Sequence, residues 1–151
     1  MQGISDEVCF AIVLFEEHVT GLLPKTNKEM DRLQAYMTFP SGFAAIDGFH
    51  LPIKRSSGPT AQRDHLNYKE FYSSVLMAMV DGKGRLLWAN CGMPGNVHNV
   101  TLLRSTNLWH HLPRITAFNA QQIDNVQIPA NILADSAFPH LPYIQKPLQQ
   151  Y

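Results

Sequence analysis

Neither sign of charge is in excess: Lys plus Arg number 12 and Asp plus Glu number 12, so the formal net charge is zero. A protein that grips DNA unaided usually carries a basic surplus, because phosphate neutralisation supplies most of its affinity. The balance argues against a self-sufficient DNA-binding module, and leaves room for an enzyme acting on DNA that a partner delivers. Cysteine is scarce as well. Cys9 and Cys91 stand far apart with no Cys-x-x-Cys pair, a pattern that suggests reduced, buried thiols of an intracellular protein. Long apolar runs are also missing, and nothing approaches the roughly 18 residues of a transmembrane span. The Val8–Phe15 run is short and follows Asp6 and Glu7 rather than a basic stretch, so it reads as a buried helix and not a signal peptide. No internal repeat or low-complexity tract occurs.

What is present suffices for one domain: 151 residues, 45% of them hydrophobic. Residues 1–40 read as a helical segment. Ser5 can cap a first helix that Pro24 ends, and Thr26 or Asn27 a second running through Glu29, Met30, Leu33 and Tyr36 until Pro40 closes it. From residue 41 the pattern changes. Phe43–Ile53 reads as a buried strand with a kink or turn at Gly48, and residues 54–67 as a polar loop. Phe71–Val80 and Arg85–Cys91 are β-rich around Asp81-Gly82-Lys83-Gly84, which predicts a hairpin. Asn96–Leu108 can form a helix capped by Asn96, with Val97, Val100, Leu103 and Leu108 inward. The polar stretch from His110 to Asn125 suits a short helix or a long loop. Ile128–Ala134 then runs as a short apolar strand into Asp135, and a proline-punctuated tail follows without an obvious closing element.

The order of helices, strand, hairpin, helix and strand predicts an α/β fold with one mixed sheet and helices packed on it. RNase H-like cores have this order, with the fourth strand parallel beside the first. That arrangement makes neighbours of the ends that carry Asp47 and Asp135. Two carboxylates held close repel, and a divalent cation such as Mg²⁺ or Mn²⁺ relieves the repulsion with oxygen ligands. Such ions activate water and stabilise the leaving oxygen in phosphodiester cleavage. Plainer roles exist for both acids: Asp-Gly after a strand is often only a turn, and Asp135-Ser136 can cap the segment behind it.

Four blocks add a family resemblance. Ala45-Ile46-Asp47-Gly48-Phe49-His50-Leu51-Pro52-Ile53, Asn67-Tyr68-Lys69-Glu70-Phe71-Tyr72-Ser73, Pro94-Gly95-Asn96-Val97-His98-Asn99 and Leu133-Ala134-Asp135-Ser136-Ala137-Phe138-Pro139 resemble, in order, blocks of the PIF/Harbinger transposase-derived nucleases, a branch of the DDE endonucleases. The resemblance implies a metal-dependent DNA endonuclease domain over residues 41–151, with Asp47 and Asp135 as catalytic metal ligands and Mg²⁺ or Mn²⁺ as cofactor. It further implies a nuclear (or cytoplasmic) protein without a membrane anchor, whose DNA recognition is assisted by a Myb/SANT-like partner. Its third acid is a Glu on a helix well past the last block, and no residue here matches it. The chain is therefore expected to be a partial catalytic domain, incomplete at its C-terminus and inactive alone. Relatives commonly carry Asp where Asn99 stands, Thr at Phe49 and Gly at Ala137, changes expected of a diverged copy.

The alternative is a catalytically inactive, domesticated remnant that keeps the fold and binds a protein partner. The other chemistry-bearing residues have ordinary readings. His50, His98, His110 and His111 suit surface or edge positions, Lys54, Arg55, Arg63 and Lys69 a solvated loop able to touch phosphates, and Trp88 and Trp109 the core or its edge.

Overall fold

The computed structural model describes residues 22–54, 58 and 63–147. The helix expected after Ser5 lies outside them. Helix α1 spans Asn27–Gln34 and begins where the sequence provides a cap, with Thr26 Oγ1 accepting the Glu29 N–H at 3.3 Å. Met30 and Leu33, three apart on one face, are its buried residues. It ends short of Tyr36.

Five strands form one mixed sheet: β1 (Gly42–Pro52), β2 (Ser73–Val80), β3 (Leu86–Pro94), β6 (Asn131–Ala134) and β7 (Ile144–Gln145), in the order β3-β2-β1-β6-β7. Strands β1, β2 and β3 pair antiparallel, whereas β6 lies parallel to β1 and β7 parallel to β6. This is the expected RNase H-like order with its flanking helices. Two details differ from expectation. Strand β1 does not kink at Gly48 but continues to Pro52, because β2 pairs with it throughout from Ala45↔Val80 to Pro52↔Ser73. The proline-rich tail does supply an edge strand, β7, whose two residues are too short a run to show in a sequence pattern.

The helix expected from Asn96 to Leu108 is two helices, α2 (Asn99–Arg104) and α3 (Asn107–Thr116). Ser105 Oγ donates to Leu102 O and Thr106 Oγ1 to Leu103 O, both at 2.7 Å, so side-chain hydroxyls occupy carbonyls at the break. His98, not Asn96, is the residue before α2. The stretch from His110 to Asn125, expected as a short helix or a long loop, continues α3 to Thr116 and then enters a small hairpin, β4 (Gln121–Ile123) with β5 (Val126–Ile128). Its turn residues Asp124 and Asn125 have φ of 48° and 64°, left-handed values that Asp and Asn tolerate.

The core gathers Phe43, Ala44 and Ile46 of β1, Met77 and Met79 of β2, Trp88 of β3, Leu102, Leu103, Leu108, Leu112 and Ile115 of the helices, and Ile132 of β6. Cys91 is buried, as expected, and Cys9 lies outside the described residues.

The β2–β3 turn shows how the hairpin is secured. Asp81 is buried, and its Oδ1 accepts the N–H groups of Lys83 and Arg85, each at 2.9 Å. The Arg85 guanidinium grips Oδ2 at 2.7 Å. Burial alone would raise the Asp81 pKa, but the hydrogen bonds from Arg85 and Lys83 outweigh it and hold the carboxyl below its usual value. A depressed folded pKa contributes stability that is complete above the unfolded value of about 3.9 and is lost as pH falls through the folded one. We expect Asp81→Asn to cost about 1–3 kcal/mol at neutral pH. Thermal melts followed from neutral pH down to pH 2 should show the gap to wild type closing in acid, and a gap that stays constant would refute this account.

Candidate functional site

The site forms where the antiparallel half of the sheet meets the parallel half. Strand β6 stops at Ala134, paired with Ile46, while β1 runs six residues further, from Asp47 to Pro52, with β2 alone beside it. The chain leaving β6 turns at Ser136 and Ala137, so a notch opens beside β1 at the carboxyl end of β6. Such reversals of connection direction are where open α/β sheets bind ligands. Asp47 and Asp135 each lie one residue beyond the Ile46↔Ala134 pair, on strands about 4.8 Å apart, and both are exposed.

A cleft of about 300 Å³ occupies the notch, lined by residues of all four sequence blocks: Asp47, Gly48 and His50 from the first, Tyr68 from the second, Gly95 to Asn99 from the third, Asp135 and Ala137 from the fourth. The sequence spacing of 88 positions between the acids, from 47 to 135, thus closes in space. Each carboxylate is steadied by its own backbone. Asp47 Oδ1 accepts the Gly48 N–H at 2.7 Å, and Asp135 Oδ1 accepts the Ala137 N–H at 2.9 Å. The second bond is the plain turn role foreseen for Asp135-Ser136, and it coexists with a place in the cleft. Among the described residues the one ion pair is Arg85 with Asp81, so no Lys or Arg neutralises either cleft acid. No group of three or more His, Cys, Asp or Glu that could hold a metal ion occurs among the described residues. The protein donors facing the notch are therefore two carboxylates, with amide and imidazole groups around them.

Asn99 is closer to the centre than its sequence suggested. A Cβ built on Gly48 would meet Asn99 Oδ1 at 2.6 Å, so the amide packs on the strand backbone immediately beside Asp47. Glycine at 48 is needed for that approach.

Behind the cleft, Ser73 ties the blocks together, a role no sequence signal marked. It is fully buried at the start of β2. Its Oγ accepts from Asn67 Nδ2 at 3.0 Å and lies 3.0 Å from His50 Nδ1, and its carbonyl lies 3.1 Å from His65 Nδ1. Gly95 packs so tightly on Ser73 and the His65 carbonyl that a Cβ there would collide with both. With one lone pair taken by the Asn67 amide, the Ser73 hydroxyl can still either donate to or accept from His50 Nδ1, according to the tautomer of the ring. Burial, and then the nearby Lys69 charge, lower the His50 pKa, and the neutral ring suits this arrangement. His98, Lys54, Arg63 and Lys69 are exposed, as are His110 and His111, while Trp88 is fully buried and Trp109 packs at the core edge. Arg55 lies outside the described residues.

The model of the DDE superfamily endonucleases matches residues 46–150, and the chain belongs to that family. The chain is also similar to Protein ALP1-like of Arabidopsis thaliana, 22% identical over 128 residues that cover 83% of this chain and 32% of that protein. It thus spans about a third of the length of that curated relative. No solved structure matches it. The family acts on DNA, and its members generally use divalent metals.

The Gly48–Asn99 contact generates a test. Gly48→Ala should destabilise the fold by about 1–3 kcal/mol through overpacking, and adding Asn99→Ala should recover most of the loss. Urea melts of the two single variants and the double variant measure the coupling. Additive effects would mean the amide does not sit against β1.

Proposed function

We propose that the cleft is a metal-dependent phosphodiester-hydrolysing site, with Asp47 and Asp135 as the catalytic metal ligands. The observation that carries this reading is that two carboxylates stand level at the Ile46↔Ala134 end of adjacent parallel strands, with no Lys or Arg ion-paired to either among the described residues. Mg²⁺ and Mn²⁺ suit the donor set, since such ions are often held by one or two carboxylates while water and substrate phosphate fill the other positions. Bound there, the metal would supply Lewis-acid stabilisation of the phosphodiester and an activated water. The chain's own residues hold the geometry. Gly48 N–H and Ala137 N–H each fix one oxygen of a carboxylate, which leaves the other oxygen to the cleft, while Asn99 adds an uncharged amide at the Asp47 side.

Residues 1–151 carry no net charge to draw DNA in. That balance supports a division of labour in which a Myb/SANT-like partner brings the DNA target, with the nucleus as the place of action. A second reading has one observation in its favour: no third His, Cys, Asp or Glu joins the two acids among the described residues, and Asn99 stands in the cleft where a further charge would fit. On that reading the domain is a domesticated remnant that keeps the fold, binds a protein partner and cuts nothing.

Metal titration of the purified chain separates these. A site with millimolar affinity gives about 1.4 kcal/mol of stabilisation at tenfold excess Mn²⁺, or about 3–6 °C in melting temperature for a domain of this size. Asp47→Asn and Asp135→Asn should each abolish that shift. A melting temperature indifferent to Mn²⁺ in the wild type would sink the metal assignment. Nuclease activity of residues 1–151 alone should be slight or nil, as two ligands without a third acid hold a metal poorly for catalysis. Robust Mn²⁺-dependent cutting lost in Asp47→Asn would overturn that expectation.

A further inference from the structure

Tyr68 is the most exposed large hydrophobic side chain among the described residues, at 78%, yet it lines the same cleft as the two acids. An aromatic ring left in water contributes nothing to the core, and here the backbone beneath it is built with care. Asn67, buried to 4%, uses its side-chain oxygen to accept the Lys69 and Phe71 N–H groups, at 2.9 and 3.3 Å. Its amide nitrogen is anchored on Ser73. The Asn67–Phe71 backbone bond closes the turn, and Glu70 is held at φ 63°, a left-handed value that a side chain larger than Gly adopts only when its surroundings enforce it. His50 meets the Tyr68 ring edge-on with centroids 5.8 Å apart, and Lys69 Nζ stands 5.5 Å from its centroid. The ring is therefore presented on a fixed support at the lip of the cleft, with a cation over one face and the other face open to stacking.

From this juxtaposition we infer that Tyr68 is a stacking platform for an unpaired nucleobase of the DNA substrate, with Lys69 beside it to meet the adjoining phosphate. Base–aromatic stacking needs an open base face, which an intact duplex hides between its neighbours, so the ligand is a nucleotide drawn out of the stack or a single-stranded end. Lys69 supplies, next to the ring, a positive charge that the chain's overall balance withholds. This assignment rests on the proposal that the cleft acts on DNA, and it names the state of the DNA held there.

Fluorescence anisotropy of the full 151-residue chain with labelled oligothymidylate, and with a matched duplex, tests it. The wild type should bind the single strand more tightly than the duplex. Tyr68→Ala and Tyr68→Leu should weaken single-strand binding at least about fivefold, the lower end of one stacked base. Tyr68→Phe should stay within about twofold of wild type, and Lys69→Gln should flatten the salt dependence. Unchanged affinity in Tyr68→Ala, a leucine variant equal to wild type, equal or tighter duplex binding, or no DNA binding by the wild type would each overturn the inference. The Mn²⁺ melting shift, measured on the same samples, keeps the two proposals apart. A normal shift in a chain whose DNA binding ignores Tyr68 removes the platform alone. Tyr68-dependent binding in a chain without the shift removes the metal site alone.

Discussion

The parallel pairing of β1 with β6 is the constraint on which the site depends. Two strands 88 positions apart are locked by backbone hydrogen bonds so that Ile46 and Ala134 are partners, and the acids follow one step later on each. Nothing else among the described residues bridges Asp47 and Asp135. The apolar side chains of these strands provide the force that keeps them there: Phe43, Ala44, Ile46 and Ile132 are all buried in one cluster with α2 and α3. Charge repulsion at the strand ends is thus held in check by burial a few residues away, because hydrophobic packing along the strands outweighs an exposed, water-screened repulsion.

A second layer of order comes from polar rather than apolar contacts. Ser73, Asn67, His50 and Gly95 meet behind the cleft, the first two and Gly95 buried and His50 half-buried. Buried polar groups demand partners, and this demand fixes directions as well as distances. The hydroxyl orients an imidazole, the amide closes a turn, and the glycine lets a loop lie flat on a strand. The rim of the cleft inherits its shape from these four residues.

Much of this was legible in the sequence. The Asp81 turn, the Thr26 cap and the apolar run into Asp135 are local signals, and the structure follows them because short-range chemistry decides those points. The pairing of Asp47 with Asp135 needed fold order, which four blocks in sequence made readable. Other features were hidden for physical reasons. The break between α2 and α3 depends on Ser105 and Thr106 turning their hydroxyls onto the preceding turn, whereas the apolar period runs through both positions undisturbed. The Asp124-Asn125 hairpin had a usable signal, two residues tolerant of left-handed backbone, but its strands of three residues gave no alternation to confirm it. Asn99 seemed a mere departure from a pattern, since sequence cannot show that Gly48 leaves a space in which its amide rests. Ser73 closes the second sequence block, but nothing there marked its tying role: a serine opening a strand is ordinary until its neighbours are known.

The β1–β6 register contains one irregularity. Gly42 pairs with Asn131 and Ala44 with Ile132, so Phe43 is an extra residue on the β1 side. Without that bulge each later residue of β1 would slide by one: Ala45 would face Ala134, and Ile46 would come level with Asp135. Asp47 would then overshoot its partner by about 3.3 Å and point to the opposite side of the sheet, because side chains alternate along a strand. A single inserted phenylalanine, four residues before the first acid and fully enclosed in the core, therefore acts as a phase setter. It makes the alignment of the cleft a property of how the hydrophobic interior is threaded.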